Sequence, residues 1–362
     1  MIFAAALTHR SILENYTSMV ARFIIVAMLL AQALTTLAAD SIRTGLNTNQ
    51  PLWGIRGGLF WAVPPGGFRP NEPRGLIRVG YSILTGGGYD LINFIAIEPI
   101  VSGRRGFSEL EKSRLDNLPG KRLWAEGRHA GGTVLTNAPS PLNKGWDRVE
   151  EVQVMLRVEQ FENDAHVRLV VSQRSDRPDE IEFRVFQEPD SAPLDYCILT
   201  ATMGNMARTR LLWLEDEVVS SLRLYSDYSE TGFAPHREFP LSRLQRCADG
   251  GVLVAITNDE ENPAAVYPFA NSELWHYAGR KVTQYWMKPS GAFHDDLHAV
   301  VNGRYTYWLS QRPVPGGIAF ENFELRERFY DGQRFVFGIT DRTPLELGFR
   351  SKVSASTTSN GH

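Results

Sequence analysis

Short runs rich in Val, Ile, Leu, Tyr and Phe, separated by polar turns every few residues, leave this chain little room for helices. Between residues 149 and 225 six such runs follow one another, at 149–161, 165–173, 181–187, 195–203, 209–214 and 218–225, with turns such as SDRPDE and EPDSAP between them. That spacing is the pattern of antiparallel strands in a sandwich or barrel. Upstream, 52–63 and 75–84 read as strands. The run 91–101 (LINFIAIEPIV) is so continuously apolar that it reads as a strand buried on both faces. Roughly fifteen strands against one or two short helices exceed what one open sheet tolerates, so two large antiparallel sheets packed face to face are expected.

The stretch 280–337 continues this pattern with an unusual mixture of aromatic, basic and acidic side chains. Asn302-Gly303 lies between LHAVV and RYTYW. Both residues tolerate positive φ, so the pair predicts a two-residue type I′ hairpin that sets Val301 opposite Arg304 and Val300 opposite Tyr305. An insertion, 102–132, separates the second and third groups of strands. Within it, Ser108 and Glu111 have the spacing of a capping box, which predicts a short helix stopped by Pro119-Gly120. The all-β architecture is similar to the β-supersandwich of galactose-mutarotase-like domains, with the lectin-like jelly roll as the alternative. Both are likenesses of architecture, carried by strand number and spacing alone.

The first 38 residues are set apart from this fold. Arg22, the apolar run 23–34 and Thr36-Leu37-Ala38 read as a secretory signal cut after Ala38, with residues 1–18 an over-long start and Met19 an alternative initiator. The apolar run is shorter than the about 20 residues a membrane span needs, so the mature chain is expected to have no integral span. An uncleaved N-terminal anchor is the other reading. A signal places the protein in the periplasm or outside the cell. Residues 39–353 then form one large domain, and 354–362 a polar, flexible tail. Without the signal the chain has 36 basic against 40 acidic side chains, a mixed balance that argues against a nucleic-acid partner. Cys197 and Cys247 are too few for a disulfide scaffold. They either pair in an oxidising compartment or remain free thiols.

Several side chains stand out against this scaffold. Glu98 interrupts the most apolar strand, where a carboxylate must be paired or have its pKa raised. Glu321 and Glu324 invite a paired-carboxylate reading, as used across a glycosidic bond. On a flat strand, three residues apart, they point to opposite faces, and only a bulge brings them together. Glu321 shares its parity with apolar neighbours and is the stronger candidate, while Glu324 reads as a surface acid. Arg104, Arg105, Arg122, Arg128 and His129 gather on the insertion, where arginine forks match carboxylate or sulfate groups and histidine moves protons near neutral pH. Tyr285, Trp286, Tyr305 and Trp308, with Arg304, belong to an aromatic density suited to sugar rings. His294, Asp295, Asp296 and His298 form a weak metal-ligand run with no third ligand specified. No cofactor is expected, and calcium at Asp295 and Asp296 is the only metal suggested.

These residues suggest an exported carbohydrate-active sandwich that binds an acidic polysaccharide and cleaves it as a lyase or a hydrolase. A lyase would use Arg128 against a uronate carboxylate, with His129 or Tyr305 taking the adjacent proton. A hydrolase would use Glu98 and Glu321. Arg122, Arg304, Tyr285, Trp286 and Trp308 would hold the substrate. The rival readings are a non-catalytic glycan- or envelope-binding module and a structural envelope protein. The chain has no GxSxG, P-loop, dinucleotide fingerprint or HExxH motif.

Overall fold

A computed structural model describes residues 52–55, 57–63, 74–82, 89–125, 138–139, 148–149, 151–202, 209–259, 271–272, 275–276, 283–306, 313–314 and 316–350. All fall in the compact unit that spans Thr44–His362. The strands are β1 (Leu52–Gly54), β2 (Leu59–Ala62), β3 (Leu76–Ser82), β4 (Tyr89–Val101), β5 (Arg104–Arg105), β6 (Leu123–Ala125), β7 (Ala138–Pro139), β8 (Arg148–Val149), β9 (Glu151–Val158), β10 (Val167–Arg174), β11 (Arg177–Gln187) and β12 (Tyr196–Thr202). They continue as β13 (Thr209–Trp213), β14 (Val218–Ser220), β15 (Arg237–Pro240), β16 (Gln245–Arg246), β17 (Val252–Asn258), β18 (Asn271–Ser272), β19 (Trp275–His276), β20 (Thr283–Lys288), β21 (His298–Arg304), β22 (Ala319–Arg326) and β23 (Gln333–Thr340). Among the described residues the helices are one α-turn, α1 (Ser221–Leu224), and a 3-10 turn at Leu241–Arg243.

Two large sheets carry the fold. The first has nine strands in the order β1-β2-β3-β4-β12-β22-β21-β15, with β5 beside β4. The second has ten, in the order β14-β13-β17-β20-β23-β11-β10-β9-β6, with β16 beside β17. Pairing is antiparallel throughout both sheets. The sheets pack together as an all-β sandwich. The alternation that builds it is plainest in β9, where Val152, Val154, Leu156 and Val158 are buried and the residues between them are not. Cys197 and Cys247 are free thiols.

The centre of the sandwich is Trp286 on β20. Its ring is fully buried and meets Phe337 at 4.8 Å, Phe335 at 6.2 Å and Phe183 at 6.3 Å between centroids. Its indole N–H donates across the sheet interface to the Phe323 carbonyl at 2.8 Å. Other polar staples join the layers: Asn93 Nδ2 donates to Gln284 Oε1 at 2.6 Å, and Gln173 Nε2 to the Leu59 carbonyl at 3.0 Å. Apolar burial supplies the stability, and these bonds fix which strand faces which. Tyr285 points the other way, onto the outer side of the second sheet, where Trp213, Leu253 and Phe349 cover it. The residue opposite it on β23 is Gly338, whose missing Cβ leaves the space that the Tyr285 ring fills.

Two local expectations are corrected. Asn302-Gly303 forms no hairpin: β21 runs straight through both residues, neither has positive φ, and β21 pairs with β22 and β15 instead. The pair serves a bulge. Val301 pairs with Phe323 and Gly303 with Phe320, so β22 spends one more residue than β21 over this interval. The extra residue leaves Asn322 N–H without a ladder partner, and Asn302 Oδ1 accepts it at 3.0 Å. Gly303 is required because any Cβ there would sit 2.9 Å from the Ala319 carbonyl oxygen. Asn302→Ala should therefore cost about 1–3 kcal/mol, the penalty for a buried N–H left unpaired, read as a shift in the urea midpoint.

The helix expected after Ser108 is absent as well. Residues 108–117 form turns, because the cap residues are used elsewhere. Ser108 Oγ donates to the Gly75 carbonyl and accepts from Ile97 N–H, which pins the insertion to β3 and β4. Glu111 Oε1 accepts Phe107 N–H and its Oε2 accepts Glu162 N–H.

Candidate functional site

The first sheet has an apolar inner side and a polar outer one. Antiparallel pairing sets Glu98 beside Ile198, and Val300 beside both Glu324 and Glu238. Side chains two apart share a face. Glu98, Thr200, Glu324, Arg326, His298 and Glu238 therefore lie together on the outer side, while Ile97, Leu199, Phe323 and Val301 face the core. The bulge alters this parity locally. Ala319 pairs with Arg304, which shares a side with Asn302 and Val300. Glu321 follows Ala319 in parity, so it too reaches the outer face, where Arg304 is the charge that acts on it. The bulge thus brings Glu321 and Glu324 to one side of the sheet.

The centre of this face is a guanidinium among carboxylates. Arg105 rises from β5, beside Ile100. Its Nε donates to Glu98 Oε2 at 2.5 Å and its Nη2 to Glu324 Oε2 at 3.2 Å. Thr200 Oγ1 donates to the same Glu324 oxygen. Glu98 is 3 % exposed and Glu324 1 %. Burial pushes the Glu98 carboxyl up to about 8 against the pull of Arg105, and the neighbouring Glu109 and Glu324 charges add to the rise. Burial likewise raises Glu109 to about 7. For Arg105, burial works against the charge, but Glu324 and Glu98 outweigh it and raise its pKa. One cation serves three acids, so at neutral pH the cluster retains a proton.

Other groups of the face reach solvent. Arg326 lies over the Tyr196 ring at 4.7 Å and meets Glu238 at 3.5 Å. Arg304 lies over the Phe233 ring at 4.8 Å. His236, one residue before β15, is exposed, and Asn302 Nδ2 approaches its Nε2 at 3.4 Å. Burial lowers the His236 pKa, helped by Arg105 and Arg326 against Glu324 and Glu238. The ring is therefore held neutral with Nε2 as acceptor. Glu321 is buried, its Oε1 lacks a hydrogen-bond partner, and burial pushes it up to about 7.

Of the residues picked out in the sequence, Glu98, Glu321 and Arg304 share this outer face. Glu324 is corrected from a surface acid to a buried one bonded to Arg105 and Thr200. Tyr305 is half-buried just beyond Arg304, and its carbonyl accepts Val314 N–H. Trp286 and Tyr285 are corrected from ligand platforms to buried residues, Trp286 between the sheets and Tyr285 bonded through its hydroxyl to Glu180. Arg122 is exposed beside β6, in the second sheet. Arg128, His129 and Trp308 lie outside the described residues. Arg105 was read only as one of the insertion's arginines and Asn302 only as a turn residue, and His236, Thr200 and Arg326 were not singled out. Their partners are distant in sequence, and only strand order brings them together.

The HDDLH run gains a third ligand-type group. His294, Asp296 and Glu327 place ligand atoms within 4.8 Å of one another. Glu327 is already engaged: Lys288 Nζ lies 2.5 Å from Oε1, Gln333 Nε2 donates to Oε1 at 3.0 Å, and His294 N–H donates to Oε2 at 2.6 Å. The lysine ammonium stands where a cation would gain most, so a metal would have to displace it. Asp295 takes no part in the group.

No family model, no curated protein and no solved structure matches this chain. Among the described residues no helix is long and apolar enough to cross a membrane.

Proposed function

We propose that the outer face of the first sheet binds an acidic polysaccharide and cleaves it by β-elimination. The observation that supports this is the layering of charge. Glu98, Glu324 and Glu321 lie buried against the sheet, and Arg105, Arg304 and Arg326 stand between them and water. Buried acids and aromatic rings orient the guanidinium groups, whose free edges match carboxylate or sulfate in two-point fashion. A sugar chain adds its apolar C–H faces, for which Tyr196 and Phe233 lie beside the arginines.

The chemistry follows from the neutral imidazole. A guanidinium paired with a uronate carboxylate stabilises the charge that develops when the adjacent C–H proton leaves. His236 Nε2, once the long 3.4 Å contact from Asn302 Nδ2 opens, takes that proton, the electron pair forms the carbon–carbon double bond, and the C–O bond to the neighbouring sugar breaks. A carboxyl held protonated near neutral pH, Glu321, returns a proton to the departing oxygen. Glu321 adjoins the bulge opposite Asn302, and Asn302 contacts His236, so acid and base flank one stretch of the face.

The test is a panel of polyuronates, sulfated glycans and a neutral glucan. Retention on the acidic polymers with ultraviolet-absorbing unsaturated ends is the expected result. Arg326→Ala and Arg304→Ala should each weaken retention by about tenfold. His236→Ala should remove product and keep retention. New reducing ends without that absorbance would replace elimination by hydrolysis at the carboxylates. Retention with no product at any enzyme concentration would leave a binding module. Equal retention on the neutral glucan would remove the charge argument.

A further inference from the structure

The proposed base, His236, has two ring nitrogens, and in the neutral ring only one of them accepts a proton. Which nitrogen carries the hydrogen is set by what each one meets. Backbone contacts fix the ring's position. Ala234 N–H donates to the Gly303 carbonyl at 2.8 Å, Phe233 bridges to Arg304, and Arg237 pairs with Val301. The chain leading into β15 thus runs alongside the bulge in β21, with His236 next to Asn302.

Asn302 is buried, and both ends of its amide are engaged. Oδ1 accepts Asn322 N–H at 3.0 Å, and Nδ2 lies 3.4 Å from His236 Nε2. The first contact decides the second. A backbone N–H can only donate, so the atom that meets Asn322 must be the amide oxygen. The group left facing the ring is then NH2, which donates and does not accept. Nε2 can meet it only with a lone pair, and the hydrogen of the neutral ring belongs on Nδ1. The neighbouring charges do not make this choice. Glu324 and Glu238 favour the charged ring, while burial, Arg105 and Arg326 oppose it. They govern whether the ring is charged, and the amide governs which nitrogen is bare. Aspartate would serve the bulge as well as asparagine does, since either offers Asn322 an oxygen. Only the histidine requires the amide.

We infer that Asn302 is a positioning residue that holds His236 in the tautomer with hydrogen on Nδ1 and so keeps Nε2 bare for an incoming proton. Its consequence for catalysis rests on the proposed elimination, whereas the tautomer itself is read without substrate. In that step the long contact opens, Nε2 gains the substrate proton, Nδ1 keeps its own, and the ring becomes an imidazolium. The test is nitrogen NMR of the imidazole groups in the full chain, above the pH at which His236 titrates, with its signals identified by their loss in His236→Ala. The parent should show a hydrogen-free Nε2 and a hydrogen-bearing Nδ1. Asn302→Asp should exchange the two, because one oxygen keeps Asn322 while the other accepts from Nε2, and the ring should titrate at higher pH than in the parent. Asn302→Ala, which removes the donor without adding charge, should let the hydrogen return to Nε2, the nitrogen that favours it in free histidine. Slow hydrogen exchange at Asn322 N–H in Asn302→Asp checks that the bulge survives. Product from a polyuronate should fall at least about tenfold in Asn302→Asp. A hydrogen-bearing Nε2 in the parent would overturn the inference, as would the parent's tautomer persisting in both variants. The expected tautomers with no product from any polyuronate would uphold the role of Asn302 and remove the elimination.

Discussion

Replacing Lys288 with methionine is expected to destabilise the protein by about 3–5 kcal/mol, the usual cost of stripping a buried charge of its partner. Lys288 and Glu327 are both fully shielded from water. The ammonium also lies 3.9 Å from the centre of the Phe335 ring, and the Arg334 charge acts against it. Burial pulls the lysine pKa down to about 8 even with Glu327 pulling it up. Methionine would keep the volume and leave Glu327 with Gln333 and His294 N–H alone. The thermal midpoint should fall by roughly 10 °C for a domain of this size. Removing both charges, as Lys288→Met with Glu327→Met, should recover only part of the loss. Gln333 Nε2 and His294 N–H would then lack an acceptor, at about 1–3 kcal/mol each. Denaturant unfolding of the three variants measures the differences. A single variant within about 1 kcal/mol of the parent would mean that Glu327 keeps other company than the pair described.

The strands were legible because their evidence is local. Alternating burial in β9 and the largely apolar run of β4 are written residue by residue. Turn chemistry was legible only where nothing else competed for it. Asn302-Gly303 has the sequence of a tight turn, yet its amide side chain is used to close a bulge whose extra residue comes from another strand. Ser108 and Glu111 have the spacing of a helix cap, yet β3 and β4 take the serine hydroxyl. In each case a tertiary hydrogen bond outweighed a local preference of about 1 kcal/mol. The aromatic density misled for a related reason. Trp286 and Tyr285 are neighbours that point to opposite sides of one sheet, and each found its own apolar cover. The outer face of the first sheet could not be read at all before strand order was known. Glu98, Thr200 and Glu324 meet only because β4, β12 and β22 are neighbours.

That meeting has a consequence for stability against pH. Glu98, Glu109 and Glu321 are pushed up by burial to about 8, about 7 and about 7, from an ordinary value of 4.5. Between pH 4.5 and pH 8 the folded protein therefore holds protons that the unfolded chain has released. Unfolding free energy then falls as pH rises across that window, and the contribution is complete below 4.5 and gone above 8. His236 acts in the opposite direction below about 6.5, since its pKa is lowered in the fold. The cleanest measurement is therefore a difference. Glu98→Gln replaces a carboxyl that is protonated at pH 5 with an uncharged amide of the same shape, so the variant and the parent should have similar stability there. At pH 8 the parent must either ionise Glu98 beside Glu109 and Glu324 or hold its proton at a cost, and the amide escapes both. The variant should be the more stable at pH 8, by a few kcal/mol on the scale of about 1.4 kcal/mol per unit of pKa. Thermal unfolding of both proteins at the two pH values decides it. If Glu98→Gln is equally destabilising at both, Arg105 keeps that carboxylate ionised throughout, and the proton in the cluster belongs to Glu109 instead.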